Sequence, residues 1–275
     1  MYAPAKVNIC LHVLGRRADG YHELAMLMQR ISLADRLQIR LEARGEIRTV
    51  CPGLELAVDE ENIASKAARL LLENAGLSRG VAIEIDKQIP VAAGLGGGSS
   101  NAATVLRTLH DMLELNMGEE ELMRLGLQLG ADVPFFLFGR TAWATGIGER
   151  LEPWPGMPPH WLVLVNPGIP VSTAAVYQNL RLTGPRPVVK LPRFPEGVEA
   201  LLCLLHNDLE TVTLERYPVV AEVKSQLLSS GALAALMSGS GPTVFGLFAE
   251  QHTAAVAADW LAGRYGWWTR TVSPL

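Results

Sequence analysis

Pro90-Val91-Ala92-Ala93-Gly94-Leu95-Gly96-Gly97-Gly98-Ser99-Ser100 is the stretch on which the reading of this chain turns. Before it, Val81, Ile83 and Ile85 alternate as in a strand. After it, Ala102, Val105, Leu106, Leu109, Met112 and Leu113 recur at spacings of three and four, as on one face of a helix. Four glycines within five residues let the backbone pass close to a bound anion. The N-terminus of the following helix offers N–H groups that lack an intrahelical acceptor, with a favourable dipole behind them. Ser99 and Ser100 add hydroxyl donors. A serine-capped turn has the same composition, but the strand before and the long helix after favour a phosphate loop. Its contacts are expected from Pro90 and from Gly94, Leu95, Gly96, Gly97, Gly98, Ser99 and Ser100. No lysine lies between Gly94 and Ser100, which excludes a P-loop. Ser99 stands where a dinucleotide fingerprint needs its third glycine, so that reading is the weaker alternative.

Outward from this loop, Val7, Ile9, Leu11 and Val13 alternate with Lys6, Asn8, Cys10 and His12, which predicts a half-buried strand with Lys6 and Asn8 on one face. A turn is expected at Arg17-Ala18-Asp19-Gly20, and a further strand through Leu37, Ile39 and Leu41. Asn62 is placed to cap a helix carrying Ile63, Ala67, Leu70 and Leu71, and Gly76 to end it. Glu119 to Leu129 reads as another helix. The prolines between Pro153 and Pro159 suit neither helix nor central strand and mark a boundary, giving domains 1–152 and 153–275. Beyond it are expected a strand at Trp161 to Val165, helices near Ser172 to Leu180, Gly197 to His206 and Val219 to Ser229, and a closing strand, helix and strand. Strands and helices mix without βαβ regularity, which favours an α+β class.

A chain of 275 residues, 49% apolar and 19% charged, can bury a full core. Its net charge of −4 argues against a nucleic-acid partner, so anionic ligands must be met locally. Cys10, Cys51 and Cys203 follow no metal-ligand spacing and cannot all pair within the chain, which fits a reducing cytoplasm. No apolar run has the length of a signal peptide or membrane span, so no membrane association is expected.

Two further segments carry chemistry. Met237-Ser238-Gly239-Ser240-Gly241-Pro242 echoes the first loop and invites a shared ligand, although alone it is an ordinary turn. Gly130-Ala131-Asp132-Val133-Pro134 sets one carboxylate beside Phe135-Phe136-Leu137-Phe138, where it is costly unless paired or at work. Lys6 is the candidate partner.

Taken together, Ala3-Pro4-Ala5-Lys6-Val7-Asn8, Arg17 to His22, Pro90 to Ala103, Gly130 to Pro134 and Ser238 to Pro242 resemble the 4-diphosphocytidyl-2-C-methyl-D-erythritol kinases. These belong to the GHMP superfamily of galacto-, homoserine, mevalonate and phosphomevalonate kinases. The matches keep their order over essentially the whole chain, and Asp19-Gly20-Tyr21-His22 separates this family from its sugar and mevalonate relatives. The resemblance implies a two-domain α+β fold, with an N-terminal half like ribosomal protein S5 domain 2 and a C-terminal α/β-sandwich half. It implies an ATP-dependent kinase with Mg²⁺ arriving on the nucleotide, acting on the 2-hydroxyl of 4-diphosphocytidyl-2-C-methyl-D-erythritol. It casts Asp132 as base, Lys6 as its catalytic partner, Asn8 beside the erythritol, and Tyr21, His22 and Tyr177 as readers of the cytidine. It assigns no protein ligand to the metal. The alternatives are another kinase of the superfamily and a nucleotide-binding protein without turnover. The segment Val91-Ala92-Ala93 departs from a more glycine-rich version in some relatives and leaves Gly94 to Ser100 intact.

Overall fold

The computed structural model describes residues 1–53, 61–182 and 197–275. Its elements run β1 (Tyr2–Arg16), β2 (His22–Glu42), β3 (Ile47–Val50), α1 (Ile63–Asn74), β4 (Gly80–Asp86), α2 (Gly97–Met112), α3 (Glu119–Leu129), α4 (Val133–Phe138), β5 (Ala142–Gly146), β6 (Arg150–Pro153) and β7 (Trp161–Asn166). They continue as α5 (Thr173–Asn179), α6 (Val198–Leu202), β8 (His206–Asn207), α7 (Glu210–Arg216), α8 (Pro218–Ser229), β9 (Ala234–Met237), β10 (Val244–Phe248), α9 (Gln251–Tyr265) and β11 (Trp268–Val272). The chain forms two compact units, the first comprising Met1–Ala5, Ala34–Val91 and Gly96–Gly139 and the second Lys6–Leu33, Ala92–Leu95 and Arg140–Leu275.

In the first unit, the second half of β2 pairs antiparallel with β4, and β4 pairs parallel with β3. Helices α1, α2, α3 and α4 pack on one another. The start of α1 obeys its sequence: Asn62 accepts a hydrogen bond from the Ala64 N–H at 2.9 Å, and Gly76, in the left-handed region at φ +65°, follows its end. In the second unit β6, β5, β2, β1 and β8 lie side by side in that order. A separate antiparallel sheet runs β11-β7-β10-β9, with α8 and α9 packed against it.

Two departures from the sequence reading have the same cause. Strand β2 begins at His22, well before Leu37, and Leu24 to Met28 along it are all buried, so no alternation announces it. Strand β1 is covered on both faces, since its polar positions Lys6, Asn8 and Cys10 are only 4%, 1% and 3% exposed. A period of two in polarity therefore marked the two faces of β1 correctly while overstating the exposure of one.

Replacing Asn62 by Ala removes the acceptor for the Ala64 N–H and is expected to lower stability by about 1 kcal/mol in urea unfolding, while Asn62→Asp costs a few tenths.

Candidate active site

Lys6 and Asn8 leave β1 on the same face, and Lys6 Nζ donates to Asn8 Oδ1 at 2.7 Å. The Asn8 amide lies 3.5 Å from Met26 Sδ on β2. The first glycine-rich loop is tied to this strand, because the Lys6 N–H donates to the Leu95 carbonyl at 3.0 Å.

Gly94 adopts φ +75°, and a Cβ there would lie 2.2 Å from the Ser238 carbonyl oxygen, so only glycine fits. The Ser238 hydroxyl, fully buried, donates to the Gly94 carbonyl at 2.9 Å. On its other side the Asn207 amide donates to the carbonyls of Met237 and Gly239 at 2.7 and 2.8 Å. The second glycine-serine loop thus braces the first by backbone contact. Asn207 carries no sequence signal, and the echo of the first loop in the second suggests a shared ligand without disclosing the bracing contact of Ser238, because the partners lie 30 and 32 residues apart for Asn207 and 144 for Ser238.

Gly96 is the N-cap of α2, in the left-handed region at φ +71°, and the helix starts at Gly97. The N–H groups of Gly97, Gly98 and Ser99 occupy its first turn, where no intrahelical acceptor exists. Ser100 is placed differently: its N–H closes the helix on the Gly96 carbonyl at 2.9 Å, and its buried hydroxyl, like Asn101 Oδ1, has no hydrogen-bond partner among the described residues. Gly98 is exposed, and among the described residues a Cβ on it would meet only Ile63 Cγ2 at 3.6 Å, an ordinary contact, so packing among those residues does not require glycine there.

Asp132 stands half-buried at the N-cap of α4, with Val133 to Leu137 turned into the core behind it. Ser99 belongs to the same unit, and its hydroxyl lies 3.8 Å from where a Gly130 Cβ would stand, beside the turn that carries Asp132.

The three expected cytidine readers come from β1's turn, β2 and α5. The rings of His22 and Tyr177 stack at 5.0 Å with 30° between planes, while Tyr21 is 58% exposed. Burial, and secondarily the positive charge of Arg16, hold the His22 imidazole below its ordinary value, which favours the neutral ring. This stack links residues 155 positions apart and could not be read from either alone.

Among the described residues one group could bring three metal-ligand atoms together: His12, His206 and Asp208, within 4.8 Å. The parallel register of β1 and β8, with Cys10 opposite His206, puts all three on one face. The imidazoles are stacked at 4.4 Å with 12° between planes, so their in-plane lone pairs run side by side and do not converge, and His206 Nε2 is 2.8 Å from Asp208 Oδ1. The other Asp208 oxygen accepts the Val13 N–H at 2.8 Å. The group acts as a brace between strands.

Comparison with known proteins places this geometry. Residues 62–140 match the GHMP kinases N terminal domain, and residues 192–265 match GHMP kinases C terminal. A protein of Syntrophotalea carbinolica named 4-diphosphocytidyl-2-C-methyl-D-erythritol kinase is 58% identical over 273 residues, covering 99% of this chain and 98% of the relative. The chain belongs to the 4-diphosphocytidyl-2-C-methyl-D-erythritol kinase family of GHMP kinases. A protein of the same name from Geobacter metallireducens is 54% identical, covering 99% of this chain and 97% of the relative. A crystal structure of a 4-(cytidine 5'-diphospho)-2C-methyl-D-erythritol kinase superposes with a TM-score of 0.83 at 41% identity, covering 99% of this chain and 98% of that one. A homoserine kinase from Cytophaga hutchinsonii shares the fold at TM-score 0.73 and 19% identity, covering 99% and 93% of the two chains. The two-domain GHMP fold and the α+β class expected from the sequence are those of this family.

Two glycines of the loop should respond in opposite ways. Gly94→Ala is expected to cost about 2–4 kcal/mol in denaturant unfolding, from the positive φ and the clash with Ser238. Gly98→Ala should leave stability unchanged or raise it by up to about 1 kcal/mol, yet weaken nucleotide binding at least about tenfold in calorimetry.

Proposed function

We propose that the chain transfers the γ-phosphoryl group of ATP to the 2-hydroxyl of 4-diphosphocytidyl-2-C-methyl-D-erythritol, a step of the non-mevalonate route to isoprenoid precursors. The observation that carries this reading is the 58% identity, sustained over 99% of the chain, with a kinase named for that substrate.

The chemistry suits the groups available. Phosphoryl transfer passes through a loose transition state, so catalysis rests on positioning and on charge neutralisation more than on a strong base. The open first turn of α2 at Gly97, Gly98 and Ser99 binds the phosphates, and Gly98 lets the backbone approach them. Asp132 accepts the proton of the attacking hydroxyl as charge develops on that oxygen. Lys6, held by Asn8, supplies the positive charge that offsets it, and Asn8 sits beside the erythritol. Magnesium, when bound with the triphosphate, would neutralise charge on the phosphate oxygens. The hydroxyl of Ser99, in the first turn of α2, is an oxygen donor of the kind this hard cation would take.

Tyr21, His22 and Tyr177 read the cytosine. Tyr177 offers a flat ring of the kind a base stacks on, and the His22 ring already stacks on it at 5.0 Å, so the base takes a place in that stack. A neutral imidazole has one donor and one acceptor nitrogen, which lets His22 pair with the edge of a base. Among the described residues no helix is long and apolar enough to cross a membrane, and the cysteines are free thiols, which supports a cytoplasmic enzyme with small-molecule partners.

Coupled measurement of ADP release tests the reading. Wild-type protein should turn over 4-diphosphocytidyl-2-C-methyl-D-erythritol and use methylerythritol 4-phosphate, mevalonate and homoserine at least about a hundredfold less well, because those compounds lack the stacked nucleotide. Asp132→Asn should lower kcat by about a hundredfold or more with ATP affinity nearly unchanged. Equal use of methylerythritol 4-phosphate would remove the cytidine from the reading, and preference for mevalonate or homoserine would move the chain to another branch of the superfamily.

A further inference from the structure

Asp35 is a buried carboxylate that the reaction outlined above does not use. It lies on β2 one residue before the ladder with β4 begins, where Arg36 faces Asp86. The antiparallel register therefore sets Asp35 level with Lys87, just past the end of β4, where backbone N–H groups lose their strand partners. The carboxylate takes them over: Oδ1 accepts the N–H of Gln88 and of Ile89, both at 2.8 Å, and Oδ2 pairs with the Lys87 ammonium. The Asp35 side chain is fully buried and that of Lys87 is 15% exposed.

The strap fixed in this way, Lys87 to Ile89, is the seat of the phosphate-binding helix end. A Cβ on Gly97, the first residue of α2, would stand 3.0 Å from Ile89 Cγ2 and 3.1 Å from Lys87 Nζ, so the helix backbone rests directly on both side chains. Ile89 itself is 1% exposed, inside the packed core. One carboxylate thereby holds the two side chains on which the first turn of α2 rests.

We propose that Asp35 is a positioning residue for the nucleotide, acting through Ile89 on the first turn of α2 and not by contact with ATP. The proposal rests on the assignment of α2 as the phosphate site. A displacement of this turn by a fraction of an ångström misaligns several donors at once, and geometric errors of that order lower catalysis by as much as about a hundredfold. The role asked of the carboxylate is mainly that of an acceptor for two N–H groups, which an amide oxygen can reproduce and a methyl group cannot.

The test uses the full chain and reads affinity for a non-hydrolysable ATP analogue by calorimetry, beside the KM of the alcohol substrate and the melting temperature. Asp35→Ala should weaken the analogue at least about tenfold and leave the KM of the alcohol within about twofold, whereas Asp35→Asn should stay within about threefold of wild type for both. Should Asp35→Ala not fold, Ile89 provides the same test one link later. Ile89→Ala, which deletes the Cγ2 under Gly97, should weaken the analogue about tenfold, and Ile89→Val, which keeps a methyl there, should not. Unchanged analogue affinity in folded Asp35→Ala or Ile89→Ala, or parallel loss of affinity for both substrates, would overturn the proposal. Because the calorimetry needs no acceptor, an error in the identity of the alcohol leaves this result readable.

Discussion

The contact between Gly94 and the Ser238 carbonyl is the constraint on which the site depends. With no space for a Cβ between them, the two glycine-serine loops meet backbone to backbone. The Ser238 hydroxyl closes the contact on the Gly94 carbonyl, and Asn207 holds the second loop from its far side. Irregular backbone is costly to bury because its polar groups need partners. Here the loops satisfy one another, and the Leu95 carbonyl is satisfied by the Lys6 N–H, so Gly94 and Leu95 are fixed without regular structure of their own.

The same economy governs the polar residues of the interior. Lys6 and Asn8 are both buried and bonded to each other, and Asp35 is buried with three donors around one carboxylate. Buried charge is tolerated only when its bonding capacity is used. Each of these groups also has a directional consequence: Asn8 orients the Lys6 ammonium, and Asp35 shapes the strap beneath α2. Orientation is what a phosphoryl transfer enzyme needs most, since its transition state gives the protein little covalent chemistry to perform.

Glycine serves two distinct purposes along the loop. At Gly94 and Gly96 the backbone lies at positive φ, a requirement of the fold. At Gly98 the backbone is helical, and among the described residues a Cβ would meet only Ile63 at an ordinary distance, which does not demand glycine. A protein selected for stability alone would carry a better helix former at that position.

The sequence by itself determined whatever depends on neighbours along the chain. The capped start of α1 at Asn62, the limits of α3, the turn at Gly20 and the opening of α2 after the glycine run all follow from local periodicity and φ preferences. Ordered motifs over the whole length also carried the family, which the full-length relatives share. Tertiary structure alone decided the rest. The first half of β2 is buried on both faces and so has no alternation to read. The second glycine-serine loop is a brace for the first, because Gly94 and Ser238 meet only in the folded chain. The His22 and Tyr177 stack and the Asp35 strap likewise join residues that no local pattern connects. A hydrogen bond or ring contact between distant residues leaves no periodic trace in a single sequence, since either partner alone is compatible with many folds.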